Sequence, residues 1–496
     1  MMKATTKTIP AILDLNDAIE RFRETVLPLL DPLQEEQWDG VILKAKEIKI
    51  LQAGLELVGH CIAMLISQLS LTESVKAAAN LRARGHAGLG YVNQAFKEVS
   101  LTLIGGVEVR FQTLYKLART RTRRRGRKRK RGKRGKSRGQ GFYPVLTLLG
   151  IRDGVSPLVR CQVSQAATQS PSFAHAVLVV AWLGLDFSAR RIRRISEAFC
   201  RIGLAARSEQ VAQMAAGTLP VGDALAGKRV AIGADGGRIN IRQTRRKGRK
   251  RKSGWPGYDT DWTEPKLFTM YVLDEHGKKL TGVDVPVKAD GTLNGIDAFL
   301  KILRLALHTL GIAQAEVVVL LGDGAHWIWN RIPPLLQELG CRASQIIQVL
   351  DCCHAIQHLY DVGEAVFGVA KAGKAWAKKW AKKLKRGGAK ALVREIERYV
   401  SRKDCQDPET LQTEYAYFLT HQTNGRLEYA SFKGDKLPIG SGAIESLIRQ
   451  TVNIRMKGCS KAWLQENAEA FLHARCQWAT HHWSNFCETV LLFGLV

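Results

Sequence analysis

The sequence predicts a mixed α/β core, interrupted by an all-helical insertion and preceded by mainly helical regions. Three observations carry this prediction. From about residue 228 short β-branched runs alternate with amphipathic stretches. After residue 351 the strand-like runs stop and helical periodicity takes over. Before residue 217 leucine, isoleucine and alanine recur at three- and four-residue spacing. With 496 residues the chain is too long for one core and is expected to form about three or four units.

Residues 1–104 read as helical, most clearly through 42–66 and 75–99. An alternating stretch at 101–106 and 107–111, split by Gly105-Gly106, predicts a hairpin. The hairpin and a basic arm together make up residues 105–140. From Arg119 to Arg138, 14 of 20 residues are Lys or Arg, with no acid among them. Such a run repels itself and is expected to be disordered when free, and it reads as an arm that tracks phosphates through Arg123, Arg124, Arg125, Arg127, Lys128 and Arg129. Residues 141–226 turn helical again. Pro171-Ser172 starts an apolar helix, Gly184 falls at its end, and Ser188 is placed to cap a second helix carrying Arg190, Arg191, Arg193 and Arg194. This is a helix-turn-helix pattern, which an ordinary helical hairpin with a basic face fits equally well.

The core is expected in two parts, 227–358 and 433–496, around an insertion at 359–432. Residues 228–234 (KRVAIGA) predict a strand ending at Asp235. Further strands are expected at 267–273 and 283–287, then a helix at 293–310 and a strand at 316–321 ending at Asp323. A helix at 327–339 and a strand at 346–350 ending at Asp351 complete this part. Three strands, helix, strand, helix, strand is the order of an RNase H-like mixed sheet. The run EVVVLL suits an interior strand covered on both faces. The insertion includes a basic helix with Trp376 and Trp380 on one face. Beyond it, LPIGSG leads into a helix from Ala443 that carries Glu445.

Composition bounds the partners. Lys and Arg number 75 against 45 Asp and Glu, a formal charge of +30. That excess calls for a polyanion: DNA, RNA or an anionic membrane. The longest apolar run, 174–185, is shorter than the roughly 18 residues of a spanning helix. The first residues lack the layout of a signal peptide. The ten cysteines form no C-x-x-C pair, so a reduced, cytoplasmic protein without a zinc ribbon is expected. A second basic run at 245–252, including Arg245, Arg246, Lys247, Arg249 and Lys250, lies between the first two core strands and is a further candidate grip on DNA.

Asp235 and Asp323 each fall at the end of an apolar strand and each precedes glycine; Glu445 follows a glycine-rich entry into a helix. Taken singly, an Asp-Gly after a strand is a routine turn, and Glu445 could pair with Arg449. Together, with first and fourth strands adjacent, they form an oxygen donor set suited to two Mg²⁺ (or Mn²⁺) ions, as phosphodiester chemistry requires.

The blocks GADGGRINIR (233–242), GDGAHWIWN (322–330), LDCCHAIQHL (350–359) and PIGSGAIES (438–446) resemble those of bacterial insertion-sequence DDE transposases, closest to the Kra group, which are related to Mutator-like elements. The resemblance runs over roughly residues 140–480. It implies that Asp235, Asp323 and Glu445 are metal ligands. It also implies that Asp351 and His354 match a Cys/Asp-x-x-His motif and that the helical stretch is an insertion domain. It further implies binding to the terminal inverted repeats of an element, metal-dependent cleavage, and transfer of 3′-OH ends to target DNA, with two ends paired by a homodimer or larger assembly. One departure is plain: where the family often carries a cysteine-paired stretch, this chain carries the 119–138 basic run. An RNase H-like nuclease without strand transfer, or a catalytically silent DNA-binding derivative, would share most of these features.

Overall fold

The computed structural model describes residues 9–85 apart from 32, 34, 36 and 37, then 91–118, 141–245, and 258–494 apart from 283, 370, 403, 404, 459 and 460. The chain divides into two compact units. One comprises 1–203 with 484–496, the other 204–483.

The first unit holds β1 (Ile9–Pro10), α1 (Leu15–Leu30), α2 (Gly40–Leu71), α3 (Glu73–Gly85), β2 (Tyr91–Thr102), β3 (Val107–Ala118), β4 (Gly141–Phe142), α4 (Pro144–Leu148), α5 (Pro157–Gln169), α6 (Phe173–Ala181) and most of α7 (Ala189–Ala215). Asp14 and Asp39 cap α1 and α2 by accepting from backbone N–H groups of the first turn. The expected helix over 75–99 ends at Gly85. Residues 91–102 form a strand instead, paired antiparallel with β3 from Tyr91↔Ala118 to Thr102↔Glu108. The hairpin foreseen at 101–111 is therefore the tip of a much longer one. Leu101 and Val109 are buried on one face with Ala63 and Ile66 of α2, so tertiary burial fixes the strand where local spacing favoured a helix. Among the described residues, α2 is long and apolar enough to cross a membrane by length and composition, with 28% of its apolar window buried. The search for uninterrupted apolar runs, longest at 174–185, does not single it out, because Lys, Glu and His interrupt it.

The second unit continues from α7 with β5 (Arg229–Gly236), β6 (Ile239–Arg245), β7 (Tyr258–Thr263), β8 (Lys266–Val272), β9 (Val287–Thr292), α8 (Gly295–Leu310), β10 (Val317–Gly322), α9 (His326–Glu338), β11 (Ile346–Leu350), α10 (Cys352–Phe367), α11 (Lys371–Leu384), α12 (Ala389–Arg402), α13 (Pro408–Thr423), α14 (Tyr429–Gly434), α15 (Gly442–Ile448) and α16 (Gln465–Ala479). A last helix, α17 (Trp483–Phe493), belongs from Ser484 onward to the first unit. The fold is mixed α/β. Its five-stranded sheet has the order β11-β10-β5-β8-β9. β10 runs parallel to both β5 and β11, while β8 is antiparallel to both β5 and β9. Val318, Val319, Leu320 and Leu321 of β10 are all buried, as a strand covered on both faces requires. α8 turns Phe299, Ile302, Leu303 and Leu307 into the same core. In the helical stretch, Trp376 and Trp380 are buried with ring centroids 6.0 Å apart, so the lysine-rich α11 packs through its tryptophans.

The third core strand lies at 287–292 and not at 283–287. Its sequence, VKADGT, carries an Asp-Gly that reads as a turn, yet Asp290 is buried inside the sheet. Arg207 of α7 makes this tolerable. Its guanidinium donates to Asp290 Oδ1 (2.9 Å), to the Gly291 carbonyl (3.0 Å) and to Glu469 Oε1 (2.7 Å). His473 lies 3.0 Å from both Asp290 oxygens, and Glu469 Oε2 accepts from the Leu293 N–H. Burial works to raise the Asp290 carboxyl, but Arg207 and His473 outweigh it and hold the group down at about 2. Its stabilising share is therefore full above the ordinary 3.8 and lost as pH falls towards about 2. Replacing Arg207 by Ala removes the guanidinium shared by two buried acids, leaving Asp290 with His473, and is expected to lower stability by about 3–5 kcal/mol. Urea unfolding at neutral pH reads this directly, and a loss under about 1 kcal/mol would show that the network is not needed.

Candidate active site at the strand ends

The parallel register of β5 and β10 pairs Gly233 with Leu321. Two residues further on, Asp235 and Asp323 therefore stand level with each other. Asp235 is the next-to-last residue of β5, and Asp323 directly follows β10. α15 packs on β5 and β8 and brings Glu445. The approach is close because Gly233 has no side chain: a Cβ there would lie 3.2 Å from Ile444. Burial, together with the Asp323 and Glu445 carboxylates, pushes the Asp235 carboxyl up to about 6, while the Gly236 N–H and His354 act in the opposite direction. Asp235, Asp323, Glu445 and His354 thus share one electrostatic environment.

Among the described residues, one group of three His, Cys, Asp or Glu side chains has its ligand atoms all within 4.8 Å of one another, and it is not this one. The carboxylates of Asp235, Asp323 and Glu445 are more widely spaced. Mutual repulsion favours that, and other bonds hold them: Ser441 Oγ donates to Glu445 Oε1 (3.1 Å), and Asp323 Oδ1 accepts from the Ala325 N–H (3.0 Å). The donor set is all oxygen, which suits a hard divalent ion. A pair of ions about 3.5–4 Å apart needs carboxylates spread beyond a single coordination sphere.

Asp351 is buried, and both of its oxygens are used by backbone. Oδ1 accepts from the His354 N–H (2.8 Å), capping α10, and Oδ2 accepts from the Ser441 N–H. Its own N–H donates to the Gly322 carbonyl (2.8 Å). Asp351 therefore ties three segments together: the end of β10, the start of α10 with His354, and the glycine-rich turn before Glu445. Both carboxylate oxygens of this motif residue are thus engaged by backbone N–H groups. Arg475 performs a similar service behind α15. It donates through Nε to the Thr451 carbonyl (2.6 Å) and through its guanidinium to that of Gln450, in the π-helical turn Arg449–Asn453 that follows Glu445.

Sequence reasoning missed the tyrosine beneath the site. Tyr417 of α13 donates from Oη to the Asp323 carbonyl (3.3 Å). Its ring occupies the space a Cβ on Gly324 would need, 2.7 Å away, and Gly324 sits at φ +106°. Nothing in the spacing of α13 marks Tyr417 as a partner of a residue 94 positions away.

The arginines of the second candidate helix are in the first unit. Ser188 Oγ accepts from the Arg191 N–H (3.3 Å) at the start of α7. Arg190, Arg193 and Arg194 are exposed and line a concavity with Ser188, Arg191 and Arg201. Arg191 is half-buried, donating to Thr102 Oγ1 (2.9 Å) and lying over the Phe187 ring. Arg193 pairs with Glu197 (2.8 Å). Residues 119–140 lie outside the described residues, and with them Arg123, Arg124, Arg125, Arg127, Lys128 and Arg129. Arg246, Lys247, Arg249 and Lys250 do too; Arg245 ends β6, within an antiparallel β6–β7 hairpin that the sequence did not suggest.

No family model matches the chain, and no curated protein is significantly similar to it in sequence.

The crowding of acids yields an expected outcome. The Asp235 carboxyl is raised in the folded protein, so the metal-free chain loses stability as pH climbs from 3.8 to about 6. Asp235→Asn should be more stable than wild type by about 1–2 kcal/mol at pH 7 in the presence of chelator, after allowing for solvent screening. Below pH 4 the two should match. Urea titrations at four or five pH values test this, and a variant that is less stable at pH 7 would contradict the crowding.

Proposed function

We propose that the chain is a DNA transposase of the DDE type, with an RNase H-like core interrupted by a helical insertion. The observation that supports this most is the meeting of Asp235, Asp323 and Glu445, with His354, at the ends of two central parallel strands and the start of one helix. The strand order, three antiparallel strands followed by two parallel ones on the other side of the first, fits that reading. So does the placing of about ninety residues, mostly helical, between Asp351 and the turn before Glu445.

In this reading Asp235, Asp323 and Glu445 hold two Mg²⁺ or Mn²⁺ ions. When bound, the ions supply an activated oxygen nucleophile and a stabilised leaving oxygen. The protein's own groups position and screen. Ser441 orients the Glu445 carboxylate, and Asp351 fixes the turn that carries it. His354, at the start of α10, faces the same acids and can donate to a phosphate oxygen. Arg190, Arg193 and Arg194 present exposed guanidinium groups suited to phosphates or guanine edges. The two basic runs, 119–138 and 245–252, add sequence-independent attraction to the backbone. The substrates would be element ends and target DNA, and the joining of two ends calls for a homodimer or larger assembly on DNA.

The decisive experiment is strand cleavage of a labelled duplex carrying the repeats that flank the gene, with Mg²⁺, comparing wild type with Asp323→Ala. The expected result is metal-dependent nicking that exposes a 3′-OH, joined products when target DNA is added, and a loss of at least about 10³-fold in the variant. Cleavage without joining would identify a nuclease. Cleavage that survives the substitution would remove the triad from the chemistry.

A further inference from the structure

We propose that His358, Asp361 and Glu414 form a second divalent-cation site, for a transition ion such as Zn²⁺, which ties the helical insertion to the core. His358 and Asp361 lie one turn apart on α10, and Glu414 faces them from α13. One imidazole nitrogen and two carboxylate oxygens lie within 4.8 Å of one another. His358 Nδ1 is already 2.8 Å from Glu414 Oε2. A tetrahedral ion at about 2.0–2.1 Å from each ligand separates its ligands by roughly 3.4 Å. Only a small closure is therefore required, and Asp361, which is exposed, can supply it by a change of rotamer.

The charge balance distinguishes this cluster from the buried acids at β9. Asp290 and Glu469 are compensated by Arg207. Glu414 is just as deeply buried, and among the described residues its ion pair is with His358 alone. Asp361 faces Glu414 and His358; burial and the Glu414 carboxylate raise its carboxyl, with His358 opposing. A mixed nitrogen and oxygen donor set with net negative charge and an open side suits a borderline ion, in contrast to the all-oxygen set at the strand ends. The His358 ring stacks on Tyr417, with centroids 3.9 Å apart, which fixes the plane of the ligating imidazole. An ion here would lock α13 against α10, and through Tyr417 would hold the loop that bears Asp323. The proposal requires only the geometry of these three residues and does not depend on the transposase reading.

The test is a Co²⁺ titration of the chelator-stripped full chain, followed by visible absorption. Four- or five-coordinate Co²⁺ with a nitrogen ligand absorbs far more strongly than six-coordinate Co²⁺ on carboxylates, so the two sites separate by spectrum. Wild type is expected to take up one strongly absorbing Co²⁺ per chain, displaced by Zn²⁺. Asp361→Asn, at an exposed position that should not disturb folding, should weaken that uptake at least about tenfold, and Glu414→Gln should abolish it. Absence of the strong spectrum in wild type, or an unchanged titration in Asp361→Asn, would overturn the proposal.

Discussion

The parallel pairing of β5 with β10 is the constraint on which the second unit depends. Its register sets Asp235 and Asp323 level at one end of the sheet. The next parallel pair, β10 with β11, then places Asp351 where its N–H meets the Gly322 carbonyl. Three acids thereby stand at the ends of three adjacent parallel strands. A slip of one residue in either ladder would turn the side chains to the opposite face and disperse them.

Two strands of the sheet, the edge strand β9 and the central strand β5, handle buried acid in opposite ways. At β9 the carboxylate of Asp290 is neutralised within the protein by Arg207 and His473, and its titration is pulled down. At β5 the carboxylate of Asp235 faces other acids, and its titration is pushed up. The first arrangement supports a strand whose sequence alone would break it. The second stores unfavourable charge at a point that an external cation can relieve.

Much of this was legible in the sequence. The strands at 229–236, 266–272, 317–322 and 346–350 announce themselves by short, mostly apolar runs, unbroken in VVVLL of β10. The caps at Ser172 and Ser188 follow from residue type. β9 was hidden because its Asp-Gly is stabilised by residues 83 and 183 positions away. β2 was hidden because its ladder partner, and not its own spacing, decides its conformation. Within the candidate site, the three carboxylates were visible as strand-end and helix-entry residues. Ser441 was visible only as part of a glycine-rich motif, and Tyr417 not at all. Residues that carry charge at the end of an element leave a local signature. Residues that brace them across long separations leave none.

The bond from the Ser441 N–H to Asp351 spans 90 positions and is accompanied by others. The Arg426 carbonyl accepts from the Leu350 N–H (3.0 Å), and Tyr429 Oη donates to the Leu350 carbonyl (3.0 Å). The helical insertion thus leaves and returns at almost one point. For a segment closed in this way, doubling its length adds only about 0.6 kcal/mol of chain entropy. Evolution can therefore lengthen, shorten or exchange the helices between these anchors while the spatial relation of Glu445 to the two strand-end aspartates is kept. By the same reasoning, a protease that nicks the chain between α11 and α12 would leave two fragments still held by their shared anchors.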